Sequence, residues 1–165
     1  MMKIYVLGVC GTFMGGLAQL AVQKGFEVAG CDENAYPPMS NVLAEQGIKV
    51  DQGFSVKNIA DDTDLFVIGN VVSRGNPMME EILKRRLKFV SGPQFLTESI
   101  LEDRHVIAVS GTHGKTSTSS MLAKVLIDAG LDIGYMIAGR AIDLDATAYL
   151  CLLYTSDAAD EVLGV

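Results

Sequence analysis

Short apolar runs alternate with segments of helical periodicity along the first hundred residues of the chain. The apolar runs predict β-strands at residues 3–8, 26–31, 48–50, 65–68 and 88–90. The segments between them predict helices that end at Gly25 or span residues 40–45, 78–86 and 94–101, with Ser40 as the cap of the second. Strands that alternate with helices favour a doubly wound parallel sheet, so the first predicted unit is an α/β domain.

The glycine-rich loop after the first predicted strand indicates a ligand site. Its spacing is Gly8-x-x-Gly11-x-x-x-Gly15, and Asp32 ends the second predicted strand. This is close to a Rossmann-like unit but departs from the G-x-G-x-x-G spacing of dinucleotide sites. Cys10 stands where the backbone would approach a pyrophosphate, so we expect a nucleotide or nucleotide sugar rather than NAD. The alternative is a glycine turn that only lets helix and strand pack closely.

The loops that follow Gly8, Cys31 and Ile68 are expected to share one edge of the sheet. Ligands of doubly wound sheets bind at the carboxyl ends of the strands, which is where these loops lie. The third of them, G-N-V-V-S-R-G-N-P at 69–77, is rich in small polar groups. It is either part of a ligand site or a polar turn in which Pro77 starts the next helix.

A second strand, glycine loop and helix follow at residues 106–130. An apolar run at 106–109 predicts a strand, and Met121, Leu122, Val125 and Leu126 have helical spacing before Gly130. The loop between them is G-T-H-G-K-T, a compact phosphate-loop pattern with Val109 where the general pattern has its first glycine. Such a loop directs backbone N–H groups at phosphates, with Lys115 near the terminal phosphates and Thr116 on Mg²⁺. The alternative is a strand-to-helix turn with a solvated lysine.

Composition narrows the possible functions. The net charge of −7 argues against a protein that holds nucleic acid through its phosphate charge. No apolar run reaches membrane-spanning length, so we expect a cytoplasmic protein. The three cysteines are far apart, and they are expected to be small buried residues rather than a disulfide framework or a zinc site.

The chain resembles the Mur ligases of bacterial cell-wall synthesis. The segments that carry the resemblance are G-T-H-G-K-T-S-T-S-S at 111–120, G-V-C-G-T-F-M-G-G-L-A at 8–18, Y-P-P-M-S at 36–40, the 69–77 loop and S-G-P-Q-F-L at 91–96. Within the family they are most similar to the peptidoglycan-recycling branch. That branch joins UDP-N-acetylmuramate to the murein tripeptide L-alanyl-γ-D-glutamyl-meso-diaminopimelate. The resemblance covers residues 1 to about 140.

This resemblance implies an ATP-dependent ligase that forms an amide through an acyl phosphate. It implies that Lys115 is catalytic, that Thr116 binds Mg²⁺, and that ATP is bound by Gly111, Thr112, His113, Gly114, Lys115, Thr116 and Ser117. It places the UDP-sugar beside Gly11, Thr12, Phe13, Met14, Asp32, Asn70, Ser73 and Asn76. No nucleic acid or membrane partner is implied, and the oligomeric state is not readable from the sequence.

The predicted organisation is a UDP-sugar-binding Rossmann-like domain at 1–100 and the start of a P-loop α/β ATP-binding domain at 104–165. From about residue 150 the chain departs from the family pattern, and the acidic strand end that binds metal in the family has no match in Asp157, Asp160 and Glu161. We therefore expect a fragment that is inactive alone. The alternatives are a UDP-N-acetylmuramate–L-alanine ligase, a non-catalytic nucleotide-sugar-binding module and, disfavoured by the glycine spacing, an NAD-type oxidoreductase.

Overall fold

A computed structural model describes residues 1–137, 144 and 146–151 of the chain. The chain divides into two compact units, Met1–Ala108 and Val109–Val165. The domain limits proposed from the sequence, 1–100 and 104–165, stay a prediction. The unusual segment from about residue 150 lies almost wholly outside the described residues.

The first unit is built on a five-stranded parallel sheet. Its strands are β1 (Lys3–Leu7), β2 (Glu27–Asp32), β3 (Lys49–Gln52), β4 (Leu65–Ile68) and β5 (Phe89–Ser91). They lie in the order β3-β2-β1-β4-β5, and each neighbouring pair is parallel. The predicted doubly wound α/β fold is thereby confirmed, because the chain builds outward from β1 first on one side and then on the other.

Three helices lie between these strands, and a fourth follows β5. They are α1 (Thr12–Gln23), α2 (Met39–Glu45), α3 (Pro77–Arg85) and α4 (Gly92–Phe95), and a 3₁₀ turn, Val56–Asn58, precedes β4. The helix predicted at 94–101 is instead a short α-helix that continues into a π-helical turn at Leu96–Ile100. Ser40 does not cap α2, because that helix starts directly after Pro38, and Ser40 lies inside it.

The core of the first unit lies against both faces of β1. Ile4, Tyr5, Val6 and Leu7 are all buried, as expected for a central parallel strand covered on both sides. On one face Tyr5 and Phe66 pack with Met78 and Ile82 of α3. Helix α1 buries eight consecutive residues, from Met14 to Ala21, and contacts β2 and α2.

In the second unit the structure describes one long helix and a small antiparallel pair. Helix α5 spans Lys115–Asp128, and β6 (Tyr135–Met136) pairs with β7 (Ala148–Tyr149). The helix predicted from the spacing of Met121, Leu122, Val125 and Leu126 is formed. However, two of its predicted apolar positions are not buried. Met121 and Val125 are 62% and 63% exposed, whereas Ser120 and Ala123 are buried.

The strand predicted at residues 106–109 is not formed. A β-strand is stabilised by hydrogen bonds to a neighbouring strand, and among the described residues neither sheet includes this segment. Val106 and Ile107 are consequently 50% and 61% exposed. In the described part of the chain, no helix combines the length and apolar character needed to cross a membrane.

Burial of Cys31 makes the stability of the first unit sensitive to alkaline pH. Burial raises the pKa of the Cys31 thiol from 9.0 to about 12, and burial likewise raises the pKa of Tyr5. The unfolded chain therefore releases these protons first. Below about pH 9 the contribution of these groups to the free energy of unfolding should not change with pH. As the pH rises from 9 toward 12, the free energy of unfolding should fall.

Urea unfolding at a series of pH values measures this dependence. The variant Cys31→Ala should be less stable at neutral pH, because the thiol packs 3.7 Å from the Met78 sulfur, but should show a shallower alkaline slope. Identical slopes in the two proteins would contradict the assignment.

A close approach between β1 and the end of β4 gives a second prediction. The N–H of Gly69 donates to the Leu7 carbonyl at 2.9 Å, and a Cβ at Gly69 would lie 2.7 Å from that same oxygen. Because backbone cannot move aside easily, Gly69→Ala should lower the free energy of unfolding by about 1–3 kcal/mol. Gly11→Ala is the matched control in a neighbouring loop, since its Cβ would only reach 3.4 Å from the Gly8 oxygen. Equal unfolding midpoints for the two variants would refute this.

Candidate functional site

A cavity of about 260 Å³ lies at the carboxyl edge of the sheet in the first unit. It forms where β1 is flanked by β2 and β4, so that the loops after these three strands face one another. The predicted shared edge is confirmed. The lining residues are Gly8, Cys10, Gly11, Asp32, Asn34, Tyr36, Pro37, Pro38, Met39, Asn70 and Val71.

The loop after β1 turns sharply into the start of α1. Gly8 has φ +80°, and its N–H donates to the Cys31 carbonyl at 2.8 Å. Gly11 occupies the N-terminal cap position of α1, and no side chain accepts a hydrogen bond from the first turn. The first N–H groups of a helix have no acceptor within the helix, so this end can bind an anion through backbone donors.

The four predicted ligand residues of this loop differ from one another in their exposure to the cavity and to solvent. Gly11 lines the cavity, Thr12 is exposed, and Phe13 is 37% exposed. The Met14 side chain is buried, and a Cβ at Gly92 would lie 2.6 Å from its sulfur. Met14 can therefore serve a ligand only through its backbone N–H.

Asp32 joins two of the three loops. Its Oδ2 accepts a hydrogen bond from the Cys10 N–H and its Oδ1 accepts one from the Asn34 N–H, both at 2.9 Å. The side chain is 8% exposed. The carboxylate thus fixes the loop after β1 against the loop after β2 and forms part of the cavity wall.

The third loop contributes less than its sequence suggests. Asn70 lines the cavity, but Ser73 and Asn76 are not among its lining residues. Asn76 caps α3, because its Oδ1 accepts from the N–H groups of Met78 and Met79 at 3.0 and 3.2 Å. The second half of the loop thus has the geometry of a polar turn that starts a helix.

Five lining residues come from the loop after β2 and its continuation into α2. They are Asn34, Tyr36, Pro37, Pro38 and Met39, and sequence reasoning gave none of them a ligand role. Their position directly after a strand that ends in a predicted ligand residue was the available signal. The shared-edge argument predicts the position of this loop but not which of its side chains reach the cavity.

The Cys10 thiol lies in the cavity wall and is half-buried rather than buried as expected. Burial, together with the negative charge of Asp32, raises its pKa from 9.0 to about 11. The group is therefore a neutral thiol near pH 7 and is not poised as a nucleophile. Its backbone N–H, bound to Asp32, has the clearer structural role.

The glycine loop of the second unit leads directly into α5. Gly114 is the cap of that helix in the left-handed conformation, with φ +76°, and no side chain caps the first turn. The Lys115 ammonium donates to the Gly111 carbonyl at 2.5 Å and lies 3.4 Å from the Thr112 carbonyl oxygen. The His113 Nδ1 lies 3.2 Å from the Thr112 hydroxyl. Residues 111–118 are all exposed, so the loop is open to a ligand.

The described residues do not include a cluster of side chains suited to hold a metal ion. They contain no group of three or more His, Cys, Asp or Glu side chains that could hold an ion. The predicted metal ligand, Thr116, is the second residue of α5, and its backbone carbonyl accepts from the Ser120 hydroxyl at 2.8 Å.

Comparison with known proteins relates the chain to one family. The family model described as the Mur ligase family, catalytic domain, matches residues 3–104. The UDP-N-acetylmuramate–L-alanyl-γ-D-glutamyl-meso-2,6-diaminoheptandioate ligase of Escherichia coli K12 is 47% identical over 149 residues, which are 90% of this chain and 33% of that protein. A UDP-N-acetylmuramate–L-alanine ligase of Xylella fastidiosa is 35% identical over 148 residues, with 90% and 30% coverage.

A solved structure agrees with these sequence relationships. A murein peptide ligase from Psychrobacter arcticus superposes with a TM-score of 0.89 at 42% identity, over 94% of this chain and 35% of that one. The chain spans about a third of the length of the curated relatives it matches. The family model covers more than half of the chain, and the identities extend over 90% of it, so the chain belongs to the Mur ligase family.

Proposed function

We propose that this protein is an ATP-dependent ligase that joins UDP-N-acetylmuramate to L-alanyl-γ-D-glutamyl-meso-diaminopimelate in peptidoglycan recycling. The observation that carries the proposal is its 47% identity, over 90% of the chain, to a ligase named for that reaction. The runner-up is a UDP-N-acetylmuramate–L-alanine ligase, which the 35% identity to such a protein keeps as a second candidate. Both candidates use the same UDP-sugar, so both need the same first site.

The UDP-sugar belongs in the cavity of the first unit. The diphosphate lies at the start of α1, where the backbone N–H groups of Gly11, Thr12, Phe13 and Met14 and the helix dipole favour a negative group. Asn70 contributes from the loop after β4. Asp32 contributes to the wall, whereas Ser73 and Asn76 have no support from the cavity geometry.

The triphosphate belongs on the glycine loop of the second unit. The exposed loop and uncapped start of α5 fit a phosphate group held by Gly111, Thr112, His113, Gly114, Lys115, Thr116 and Ser117. ATP supplies the phosphoryl group that activates the muramate carboxylate for attack by the peptide amine. Lys115 exchanges its loop carbonyls for phosphate oxygens and offsets their charge. The hydroxyl of Thr116 would be the protein ligand of a Mg²⁺ ion bound with ATP, and this ion would offset phosphate charge.

Two point variants separate the two sites. Gly11→Asp should abolish UDP binding and leave ATP binding intact, because it introduces a carboxylate where the diphosphate lies. Lys115→Ala should weaken ATP binding about tenfold or more through loss of a charged hydrogen bond and leave UDP binding intact. Calorimetric titration with UDP-N-acetylmuramate, UDP, ATP and NAD measures all of these affinities.

The matched control for the lysine variant is Lys124→Ala on the same helix, where the ammonium pairs with Asp128 rather than with the loop. This variant should bind ATP as the unmodified chain does. Preferential binding of NAD over UDP would contradict the ligase assignment and support an oxidoreductase. For enzyme made from the full open reading frame, phosphate release with the tripeptide rather than with L-alanine distinguishes the two ligases.

A further inference from the structure

The outer edge of β5 is an open end of the first unit's sheet. β5 is the last strand in the sheet order, and no described strand pairs with its outer side. The Phe66 N–H donates to the Lys88 carbonyl at 3.0 Å, in the register that sets Phe66 beside Phe89. In this parallel ladder the N–H and C=O of Phe89 itself point away from β4, because alternate residues of a strand use opposite edges. Among the described residues neither group has a hydrogen-bond partner.

A row of aromatic side chains on one face of the sheet runs out to this edge. The strand register places Tyr5, Phe66 and Phe89 side by side on β1, β4 and β5. Tyr5 and Phe66 are 5% and 1% exposed, with ring centroids 6.1 Å apart, whereas Phe89 is 43% exposed. Side chains directly opposite one another on neighbouring strands stabilise a sheet. A further strand at this edge would therefore cover Phe89 with a side chain of its own and pair with the free backbone groups.

The chain beside this edge is strongly basic. Residues 84–88 are K-R-R-L-K, although the whole chain has a net charge of −7. Lys84 and Arg85 lie in the last turn of α3, where cations offset the helix dipole, and both pair with an acidic residue of the same helix. Arg86 and Lys88 lie beyond that turn, are exposed, and make no ion pair with the described part of the chain. Their charges are thus available to a partner.

Basic residues beside an open edge make that edge selective. A second copy of the same edge would bring like charges together, so the cations disfavour pairing between identical chains. The same cations attract an acidic strand. Neighbouring side chains of a strand point to opposite faces. A segment with an apolar residue between two acidic ones would therefore set its apolar side chain against Phe89 and its carboxylates on the face of Lys88.

We propose that the outer edge of β5 is a docking site for an extended acidic segment of a partner protein, which adds a strand to the sheet. The segment alternates acidic and apolar residues. Phe89 supplies the backbone pairing and the apolar contact, and Arg86 and Lys88 supply the charge. None of these three residues lines the cavity, so the inference does not rest on the proposed function.

The first test asks whether backbone hydrogen bonds hold the partner. The 165-residue chain is titrated with a short, capped, fluorescent peptide in which glutamate and valine alternate, and binding is followed by fluorescence anisotropy. The same peptide methylated on its backbone nitrogens should bind about tenfold more weakly, because it has lost its N–H donors. Phe89→Pro removes the outward N–H but no sheet hydrogen bond, and it should bind the peptide about fivefold more weakly than Phe89→Ala, which keeps that N–H.

The second test asks whether charge selects the partner. Lys88→Glu should weaken binding of the glutamate–valine peptide about fivefold, because an attraction becomes a repulsion. The matched control is Lys57→Glu, the same charge change at an exposed lysine in the 3₁₀ turn before β4, and it should bind the peptide as the unmodified chain does. A peptide in which lysine replaces glutamate should not bind. Thermal unfolding confirms that each variant is folded.

Every outcome decides for or against the edge. Equal binding of the methylated and unmethylated peptides by the unmodified chain would overturn the proposal, and this comparison holds even if Phe89→Pro does not fold. No binding of the glutamate–valine peptide would also overturn it. Binding to vesicles of anionic phospholipid that depends on Lys88, without peptide binding, would assign the surface to a membrane instead. None of these measurements involves a nucleotide, so their failure leaves the proposed ligase function standing.

Discussion

The carboxyl edge of the first sheet depends on β1 being paired on both sides. Parallel hydrogen-bond ladders join it to β2 and to β4, and this pairing brings the ends of three strands side by side. The close contact of Gly69 with the Leu7 carbonyl is possible only because position 69 has no side chain. A cavity at this edge is a consequence of strand order, whereas its chemistry comes from the loops.

Asp32 converts neighbouring loops into a single site. A carboxylate that is almost fully buried needs hydrogen bonds for both oxygens, and here the donors come from the loops after β1 and β2. The same charge, after burial, contributes to the raised pKa of Cys10. One buried acid therefore fixes the loop after β1 against the loop after β2.

Sequence patterns predicted the first unit well because its strands are short, buried and separated by clear helix signals. They failed where the outcome depends on a partner in space. Residues 106–109 have the composition of a strand but pair with no strand among the described residues, and Ser40 has the chemistry of a cap but Pro38 begins the helix earlier. Asn76 shows a further limit, because one residue type suits both a ligand contact and a helix cap, and only the structure shows that its Oδ1 accepts from the Met78 N–H at 3.0 Å. The cavity residues Asn34 and Tyr36 were missed for a related reason, since a loop composition does not reveal which side chains face inward.

The helix starts themselves argue for two anion sites. Asn76 and Ser91 cap α3 and α4 through their side chains, and such caps stabilise a helix by about 1 kcal/mol. Helices α1 and α5 begin instead at Gly11 and Gly114 with no side-chain acceptor. Helix α2 also lacks a side-chain cap, but it has only seven residues and follows a proline. A polar side chain at either glycine would accept from the N–H groups that a phosphate needs. The absence of such a cap is unfavourable for the ligand-free helix, but it keeps these N–H groups accessible to an anion. The proposed anion binding would restore the stabilisation that α1 and α5 lack without a side-chain cap, and it would link ligand affinity to helix stability at both sites.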